Sequence, residues 1–160
     1  MTTRAFVALG SNLGERSVHL ERALRELDRP PDVRVVRCSS FHETEPVGGP
    51  AGQGPYLNAV VELATALEPR ALLHRLLEIE LRAGRVRRER NGPRTLDLDL
   101  LIFGDQRIDT PELCVPHPRL EERSFVLAPL AELAPELLLA RSGSSVRERL
   151  AALRAAEGRA

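Results

Sequence analysis

The sequence contains no lysine and no tryptophan, and aromatic residues make up only 3% of its 160 residues. All 23 basic side chains are therefore arginine. The absence of lysine excludes a P-loop, whose lysine reaches the bound phosphates, and it also excludes a protein-kinase site. Any phosphate-binding site in this chain must be built from arginine.

Cysteine is scarce as well. Cys38 and Cys114 stand far apart in the chain and belong to no CxxC motif, so we expect buried free thiols in a reducing compartment. No apolar run reaches the length of about 20 residues that a membrane helix needs. The N-terminal apolar stretch is too short and too soon interrupted to resemble a signal peptide. These absences predict a cytoplasmic protein.

The overall composition is that of an ordinary globular domain. Hydrophobic residues make up 42% and charged residues 29%, and the formal net charge is zero. The length predicts one domain over residues 1–160. A dedicated nucleic-acid binder usually carries a basic excess. We therefore expect a monomer with small-molecule substrates and with neither nucleic acid nor membrane as a partner.

Two carboxylates alternate with leucines in the segment Arg94 to Leu100, which reads RTLDLDL. Successive side chains of a strand point to opposite faces, so Asp97 and Asp99 share one face and the leucines share the other. A pair of carboxylates suits Mg²⁺, which commonly rests on one or two carboxylates together with nucleotide phosphates. The alternative is an amphipathic edge strand with a solvated acidic face.

A basic segment lies directly before this strand. Its five arginines are Arg85, Arg87, Arg88, Arg90 and Arg94. Arginine beside a carboxylate pair suits phosphoryl transfer, in which positioning and charge neutralisation supply most of the catalysis. The segment also fits a solvated basic loop or a patch for nucleic-acid phosphates.

The apolar periodicity predicts alternating strands and helices. Strands are expected over 4–9, 33–41, 56–63, 95–103 and near 137–139. Helices are expected over 15–27, 69–83, 120–133 and 145–153. Residues 46–55, which are rich in glycine and proline, predict a long exposed loop.

Several single residues allow a functional and a structural interpretation. Tyr56 and Asn58 share a strand face and could bind a flat ligand or simply pack. Glu80 is either a surface residue or an acceptor for a ribose hydroxyl. His117, held between two prolines, either has no role or donates a hydrogen bond to phosphate.

Taken in order, the segments FVALGSNLGER, SSFHETEPVG, YLNAVVEL, RNGPRTLDLDLLIFG, VPHPRL and ERSFVLAPL resemble the 6-hydroxymethyl-7,8-dihydropterin pyrophosphokinases of folate biosynthesis. The similarity covers nearly the whole chain, and RxGPRxxDxD is highly specific for that family. It implies an α+β fold, a ferredoxin-like three-layer α/β/α sandwich with a mostly antiparallel sheet. It also implies transfer of the pyrophosphoryl group of Mg-ATP to the pterin hydroxymethyl oxygen, which leaves AMP.

The resemblance also implies roles for individual residues. Asp97 and Asp99 would hold two Mg²⁺ ions, and Arg85 and Arg94 would stabilise the transferring group. The expected ATP-binding residues are Glu80, Arg87, Leu100, Leu113, His117 and Arg123. The expected pterin-binding residues are Thr44, Val47, Tyr56, Asn58 and Phe125, with Tyr56 and Phe125 on either side of the ring. Two positions depart from the pattern, since Asn91 and Glu112 replace a tryptophan and an arginine found in some members.

Two other classes of protein are weaker fits. An RNA-recognition domain has a similar topology but needs exposed aromatics on its central strands, where this sequence places aliphatics and carboxylates. A two-metal phosphoesterase usually needs more clustered His and Asp ligands than this chain offers.

Overall fold

A computed structural model describes residues 1–45, 54–84 and 95–158. The strands are β1 (Thr3–Ser11), β2 (Val33–Cys38), β3 (His42–Thr44), β4 (Tyr56–Thr65), β5 (Asp97–Phe103), β6 (Ile108–Asp109) and β7 (Cys114–Val115). The helices are α1 (Arg16–Leu27), α2 (Pro69–Arg82), α3 (Ser124–Leu133) and α4 (Val146–Ala156). A 3₁₀ turn, Leu120–Glu122, precedes α3.

Five strands form an antiparallel central sheet. The order is β2-β4-β1-β5, and β3 pairs with the N-terminal part of β4. The chain therefore runs β1-α1-β2-β4-α2-β5 with β1 and β4 in the centre, which is the expected ferredoxin-like arrangement. β6 and β7 form a separate two-stranded hairpin.

The sheet is buried on both faces, by a different helix pair on each. One core joins α1 and α2 to the side chains that β1 turns toward them, such as Val7 and Leu9. The second core joins α3 and α4 to Phe6, Val60 and Leu101 on the opposite face. The expected three-layer α/β/α sandwich is therefore confirmed.

The predicted strand over 33–41 is wrong at its C-terminal end, because β2 stops at Cys38 and β3 is a separate strand. The interruption has a visible cause at Ser39. Its hydroxyl oxygen accepts a hydrogen bond of 2.9 Å from the Val60 N–H, so a side chain replaces a backbone carbonyl of the ladder. A side chain that takes a backbone hydrogen bond in this way competes with regular strand pairing.

Two C-terminal expectations also need correction. The predicted helix over 120–133 is broken at Arg123, whose backbone is extended (φ −115°, ψ 98°), so α3 begins only at Ser124. The predicted strand near 137–139 is reduced to a single bridge between Leu138 and Ser145. Within the described ranges, none of the helices combines the length and apolar character needed to cross a bilayer.

Candidate active site

Helices α3 and α4 leave part of their sheet face uncovered, and a cleft of about 850 Å³ lies there. Beneath the helices this face presents Phe6, Val60 and Leu101 to the second core. Toward the other end of β1, β4 and β5 the same face forms the floor of the cleft. The residues that line it are Ala8, Leu9, Gly10, His42, Glu43, Thr44, Glu45, Tyr56, Asn58, Asp97, Asp99, Arg119, Glu122, Arg123, Ser124, Phe125, Val126, Ala128, Arg154 and Glu157.

Asp97 and Asp99 lie next to each other in the floor of this cleft. Leu98 and Leu100 are buried in the core on the opposite side of the sheet, while the two aspartates are half-buried. This confirms the predicted alternation. Residues two apart in an antiparallel strand have Cα atoms about 6.8 Å apart. The two carboxylates are therefore close enough to share a cluster of ligands.

Glu80 is only 3% exposed, so its interpretation as a surface residue is wrong. Its Oε2 accepts a hydrogen bond of 2.7 Å from the N–H of Leu98, which stands between the two aspartates in the sequence. The carboxylate of α2 thus fixes the outer edge of β5 at the position of the aspartate pair. Its contact with a ribose stays a prediction.

Leu100 and Leu113 also lie outside the cleft lining, with side chains buried in the first core. The register between β1 and β5 shifts beside Leu100, where Val7 pairs with Leu100 and Phe6 with Ile102. Leu113 uses both of its backbone groups in the hairpin, where its N–H donates to the Thr110 hydroxyl and its C=O accepts from the Thr110 N–H. The contacts of Leu100 and Leu113 with a nucleoside stay predictions.

Four of the five residues predicted to bind a pterin line the cleft together: Thr44, Tyr56, Asn58 and Phe125. Thr44 pairs across the ladder with Tyr56, and the amide Nδ2 of Asn58 lies 2.5 Å from the Thr44 hydroxyl. This bond fixes the orientation of the amide at the floor of the cleft. β3 and β4 therefore supply one wall, with an aromatic ring beside a polar edge.

The opposite wall is the N-terminal turn of α3. Phe125 lies in this turn, and the guanidinium of Arg123 stands 5.7 Å from the centre of the Phe125 ring, a cation–π distance. Burial and the nearby Arg119 lower the pKa of Arg123, whereas the carboxylates of Asp99 and Asp97 raise it. The same turn thus brings a ring and a cation to the aspartate pair.

His117 lies close to this charged group without lining the cleft. Burial, followed by Arg123, lowers its pKa to about 4, although Asp97 acts in the opposite direction. Its Nδ1 accepts a hydrogen bond of 3.1 Å from the Arg119 N–H, so the neutral ring carries its proton on Nε2. His117 is therefore a neutral hydrogen-bond donor at physiological pH, which agrees with its predicted role toward phosphate.

The remaining predicted site residues lie outside the described part of the chain. They are Val47, Arg85, Arg87 and Arg94. Their roles stay predictions from the sequence.

The cleft also contains residues that the sequence analysis did not select. Gly10 lies between Asn58 of β4 and Asp97 of β5 in the register of the sheet. A Cβ at this position would lie 3.2 Å from Asn58 Oδ1. Arg154 and Glu157, at the end of α4, also line the cleft and lie beyond the predicted helix over 145–153. The place of Gly10 in the cleft follows from its pairing with strands β4 and β5, whereas no local sequence pattern marks Arg154 or Glu157.

The start of α1 supports the segments that flank residues 46–53. The guanidinium of Arg16 donates to the Pro55 carbonyl at 2.9 Å and to the Glu43 carboxylate at 2.8 Å. Asn12 Nδ2 lies 3.4 Å from the Gly54 carbonyl. Both sides of this segment are therefore attached to one helix N-terminus.

The donor set of the aspartate pair fits a hard divalent cation. Among the described residues, no group of three or more His, Cys, Asp or Glu side chains is arranged to hold a metal ion. A site with only two carboxylates cannot enclose an ion by itself. It suits Mg²⁺, which keeps several waters and takes its remaining ligands from the phosphates of a substrate.

Comparison with known proteins gives a consistent result. The family described as 7,8-dihydro-6-hydroxymethylpterin-pyrophosphokinase matches residues 6–135. The 2-amino-4-hydroxy-6-hydroxymethyldihydropteridine pyrophosphokinase of Pseudomonas aeruginosa is 49% identical over 152 residues, which cover 95% of this chain and 93% of the relative. That of Bacillus subtilis is 47% identical over 137 residues, which cover 86% and 81%.

Solved structures with the same fold come from larger proteins. The Plasmodium falciparum HPPK-DHPS wild type with pteroate matches with a TM-score of 0.78 at 15% identity, over 98% of this chain and 44% of that one. An HPPK-DHPS in complex with substrates matches with a TM-score of 0.74 at 14% identity, again over 98% and 44%. The chain spans less than half of these proteins, and at such identity the likeness shows the fold alone.

The lowered pKa of His117 predicts a specific titration. Histidine in the unfolded chain takes up its proton near pH 6.5, whereas His117 in the folded chain should do so near pH 4. Between these values the unfolded state binds more protons, so the free energy of unfolding should fall as the pH is lowered. NMR titration of the ring should show a midpoint near 4 in the folded protein and near 6.5 in urea. A folded midpoint at 6.5 would contradict the burial of the ring.

Proposed function

The chain is a member of the 7,8-dihydro-6-hydroxymethylpterin-pyrophosphokinase family, and we propose that the cleft beside α3 is its active site. The protein transfers the pyrophosphoryl group of ATP to the hydroxymethyl oxygen of 6-hydroxymethyl-7,8-dihydropterin, a step of folate biosynthesis. The proposal concerns which side chains carry out each part of this reaction.

The register of the sheet is the observation that carries the assignment. His42, Asn58, Gly10 and Asp97 form one row of cross-strand neighbours through β3, β4, β1 and β5. Adjacent strands lie about 4.8 Å apart, so Asn58 and Asp97 are separated by roughly 10 Å across Gly10. This distance matches the length of a pterin ring with its hydroxymethyl arm. A ring held at Asn58 would direct that arm toward the aspartates.

In this assignment the pterin lies between Tyr56 and Phe125, whose rings contribute a large apolar contact to a flat heterocycle. Asn58 and Thr44 read its hydrogen-bonding edge, because a site that pairs with ring N–H and C=O groups rejects heterocycles lacking them. Val47 is proposed to contribute its backbone to the same edge. The pre-set bond between Asn58 and Thr44 supports this orientation.

The ATP phosphates are proposed to lie on the β5 side of the cleft. Arg123 and the neutral His117 are suited to bind them, one as a cation and the other through its Nε2–H. Arg85, Arg87 and Arg94 are proposed to complete the phosphate site from the preceding segment, and Glu80 with the backbone of Leu100 and Leu113 to contact the nucleoside. A site lined by carboxylates repels a polyphosphate unless such cations balance the charge.

Asp97 and Asp99 are proposed to hold two Mg²⁺ ions, which would neutralise phosphate charge and make the acceptor hydroxyl more acidic. The chain itself then has to orient the two substrates. In-line attack forms a bond from the hydroxymethyl oxygen to the β-phosphorus and breaks the bond from that phosphorus to the oxygen bridging it to the α-phosphorus. AMP leaves with the bridging oxygen, and the proton of the hydroxymethyl group is released to water. Holding the hydroxyl at the β-phosphorus supplies a large part of the acceleration.

We also propose that residues 1–160 work as a single pyrophosphokinase domain, as a monomer and in the cytoplasm. The family match over residues 6–135, which covers most of the chain, supports the single domain. Size-exclusion chromatography with light scattering measures the monomer state directly.

The identity of the leaving nucleotide tests the function. With ATP, Mg²⁺ and 6-hydroxymethyl-7,8-dihydropterin, we expect AMP and the pterin diphosphate in equal amounts, resolved by anion-exchange chromatography. Pyrophosphoryl transfer releases AMP, whereas transfer of one phosphoryl group releases ADP. ADP as the main product would contradict the assignment.

Replacing either aspartate by asparagine should abolish most of the turnover. Asp97→Asn and Asp99→Asn keep the side-chain shape but remove the charge that would bind the metal, so we expect AMP formation to fall by about a hundredfold or more. Asp105→Asn, in the exposed turn after β5, is the matched control and should keep full activity. Thermal melting of all three should agree with the parent protein. Near-normal turnover of Asp97→Asn would refute the metal assignment.

Gly10→Ala should weaken pterin binding without changing the fold. The added methyl group would lie 3.2 Å from Asn58 Oδ1 and 3.8 Å from Tyr56 Cδ1, so it should displace the amide and fill the floor beneath the ring. We expect the KM for the pterin to rise about tenfold, as for a clash costing roughly 1.4 kcal/mol. The KM for ATP should stay within about a factor of two. Equal effects on both substrates would place the pterin elsewhere.

A further inference from the structure

One carboxylate on α3 binds the junction between β2 and β3 at several points. Glu132 Oε1 accepts a hydrogen bond of 2.9 Å from the Ser40 N–H. The Ser40 hydroxyl lies 2.8 Å and 3.0 Å from its two oxygens, and His42 Nε2 contacts Oε2. These partners precede Glu132 by about ninety residues in the sequence. We call Ser40, His42 and Glu132 the clasp.

The clasp joins the two elements that form opposite walls of the cleft. Phe125 and Ala128 of α3 line one wall, and Glu132 follows Ala128 by one helical turn. His42 and Thr44 of β3 line the other wall. The contact between Glu132 and His42 therefore closes one end of the slot between Phe125 and Tyr56.

β3 depends on such a contact because it is a three-residue strand at the edge of the sheet, paired with β4. Short edge strands gain little from their ladder alone. The apolar side of α3 packs instead on Phe6 and Val60, which lie under the middle of the sheet. The second core thus positions α3 over the sheet, whereas the clasp holds β3 at a fixed distance from α3.

We propose that Glu132 is a positioning residue for the pterin: through Ser40 and His42 it sets the distance between the Phe125 wall and the wall formed by β3 and β4. This inference rests on the proposed function of the cleft. Glu132 has no contact with the reacting atoms in it. The ATP phosphates are assigned to the Asp97 and Arg123 side of the cleft. A change in the width of the slot therefore alters the binding of the pterin and leaves the binding of ATP unchanged.

The contacts of Glu132 also explain its charge state. Partial burial alone would raise its pKa, but the bonds from Ser40 and His42 outweigh this effect and lower it. Glu132 is accordingly ionised at neutral pH and accepts from all of its partners. An ionised acceptor with several donors holds its geometry better than a single exposed ion pair, which contributes little.

The test is a comparison of the two KM values in Glu132→Ala. We expect the KM for the pterin to rise about fivefold to tenfold, with kcat and the KM for ATP within about a factor of two. Glu132→Gln should recover most of the loss, because its amide oxygen still accepts from the Ser40 N–H. Glu136→Ala is the matched control, since it removes an exposed carboxylate that pairs with Arg147 and should change neither KM.

Ser40→Ala gives an independent measurement that leaves α3 intact. It removes the hydroxyl contacts but keeps the backbone N–H bond, so the KM for the pterin should rise by about threefold. Combined with Glu132→Ala it should add little, because both changes act on the same clasp. If Glu132→Ala does not fold, Ser40→Ala carries the test.

An unchanged KM for the pterin in Glu132→Ala, or in Ser40→Ala where Glu132→Ala does not fold, would overturn the proposal. Equal rises in both KM values would do so too, since a general loss of structure affects both substrates. The parent protein separates this failure from that of the proposed function. If the parent itself forms no AMP from the pterin and ATP, the function is wrong, whereas normal parent kinetics with unaffected variants refute the clasp alone.

Discussion

The burial of the leucines in β5 is the constraint on which the candidate site depends. Leu98 and Leu100 are held in the core on the α1 and α2 side, so the intervening aspartates have to face the other way. Turning them inward would place unpaired carboxylates in an apolar core at a cost of several kcal/mol each. The hydrogen bond from the Leu98 N–H to Glu80 adds a second restraint at the same point. The hydrophobic effect thus positions the charged groups.

On the opposite face of the sheet, helices α3 and α4 cover only part of the strands. Arg123 has an extended backbone, so α3 starts at Ser124 and presents Phe125 in its first turn, beside the part of the sheet face that α3 and α4 leave uncovered. Gly10 has no side chain, so it leaves space at the floor of the cleft. An aromatic wall, a flat floor and a carboxylate pair therefore meet where the second core ends. The cleft is a direct result of two helices covering part of a twisted sheet.

The sequence predicted the parts of this arrangement that follow from local patterns. The alternation of Asp97 and Asp99 with leucines, the three long strands and α2 depend on side-chain period, and the resemblance supplied the fold and the reaction. The break after Cys38 could not be predicted, because it depends on the Ser39 hydroxyl meeting Val60 from a distant strand. The burial of Glu80 depends likewise on where β5 docks. Side-chain contacts between distant segments, such as the clasp, have no local signal.

The apolar and the polar contacts around the cleft differ in the free energy needed to separate them. The cores under α1, α2 and α3 are apolar and close-packed, and opening them exposes surface at about 25 cal/mol per Å². The clasp and the Arg16 contacts are polar and half-exposed, so separating them costs less than opening an apolar core. The floor with its aspartates is therefore rigid, while the β3 wall and the segments beside residues 46–53 yield more easily. In the proposed arrangement the distance between this wall and Phe125 is therefore set by polar contacts rather than by the apolar cores.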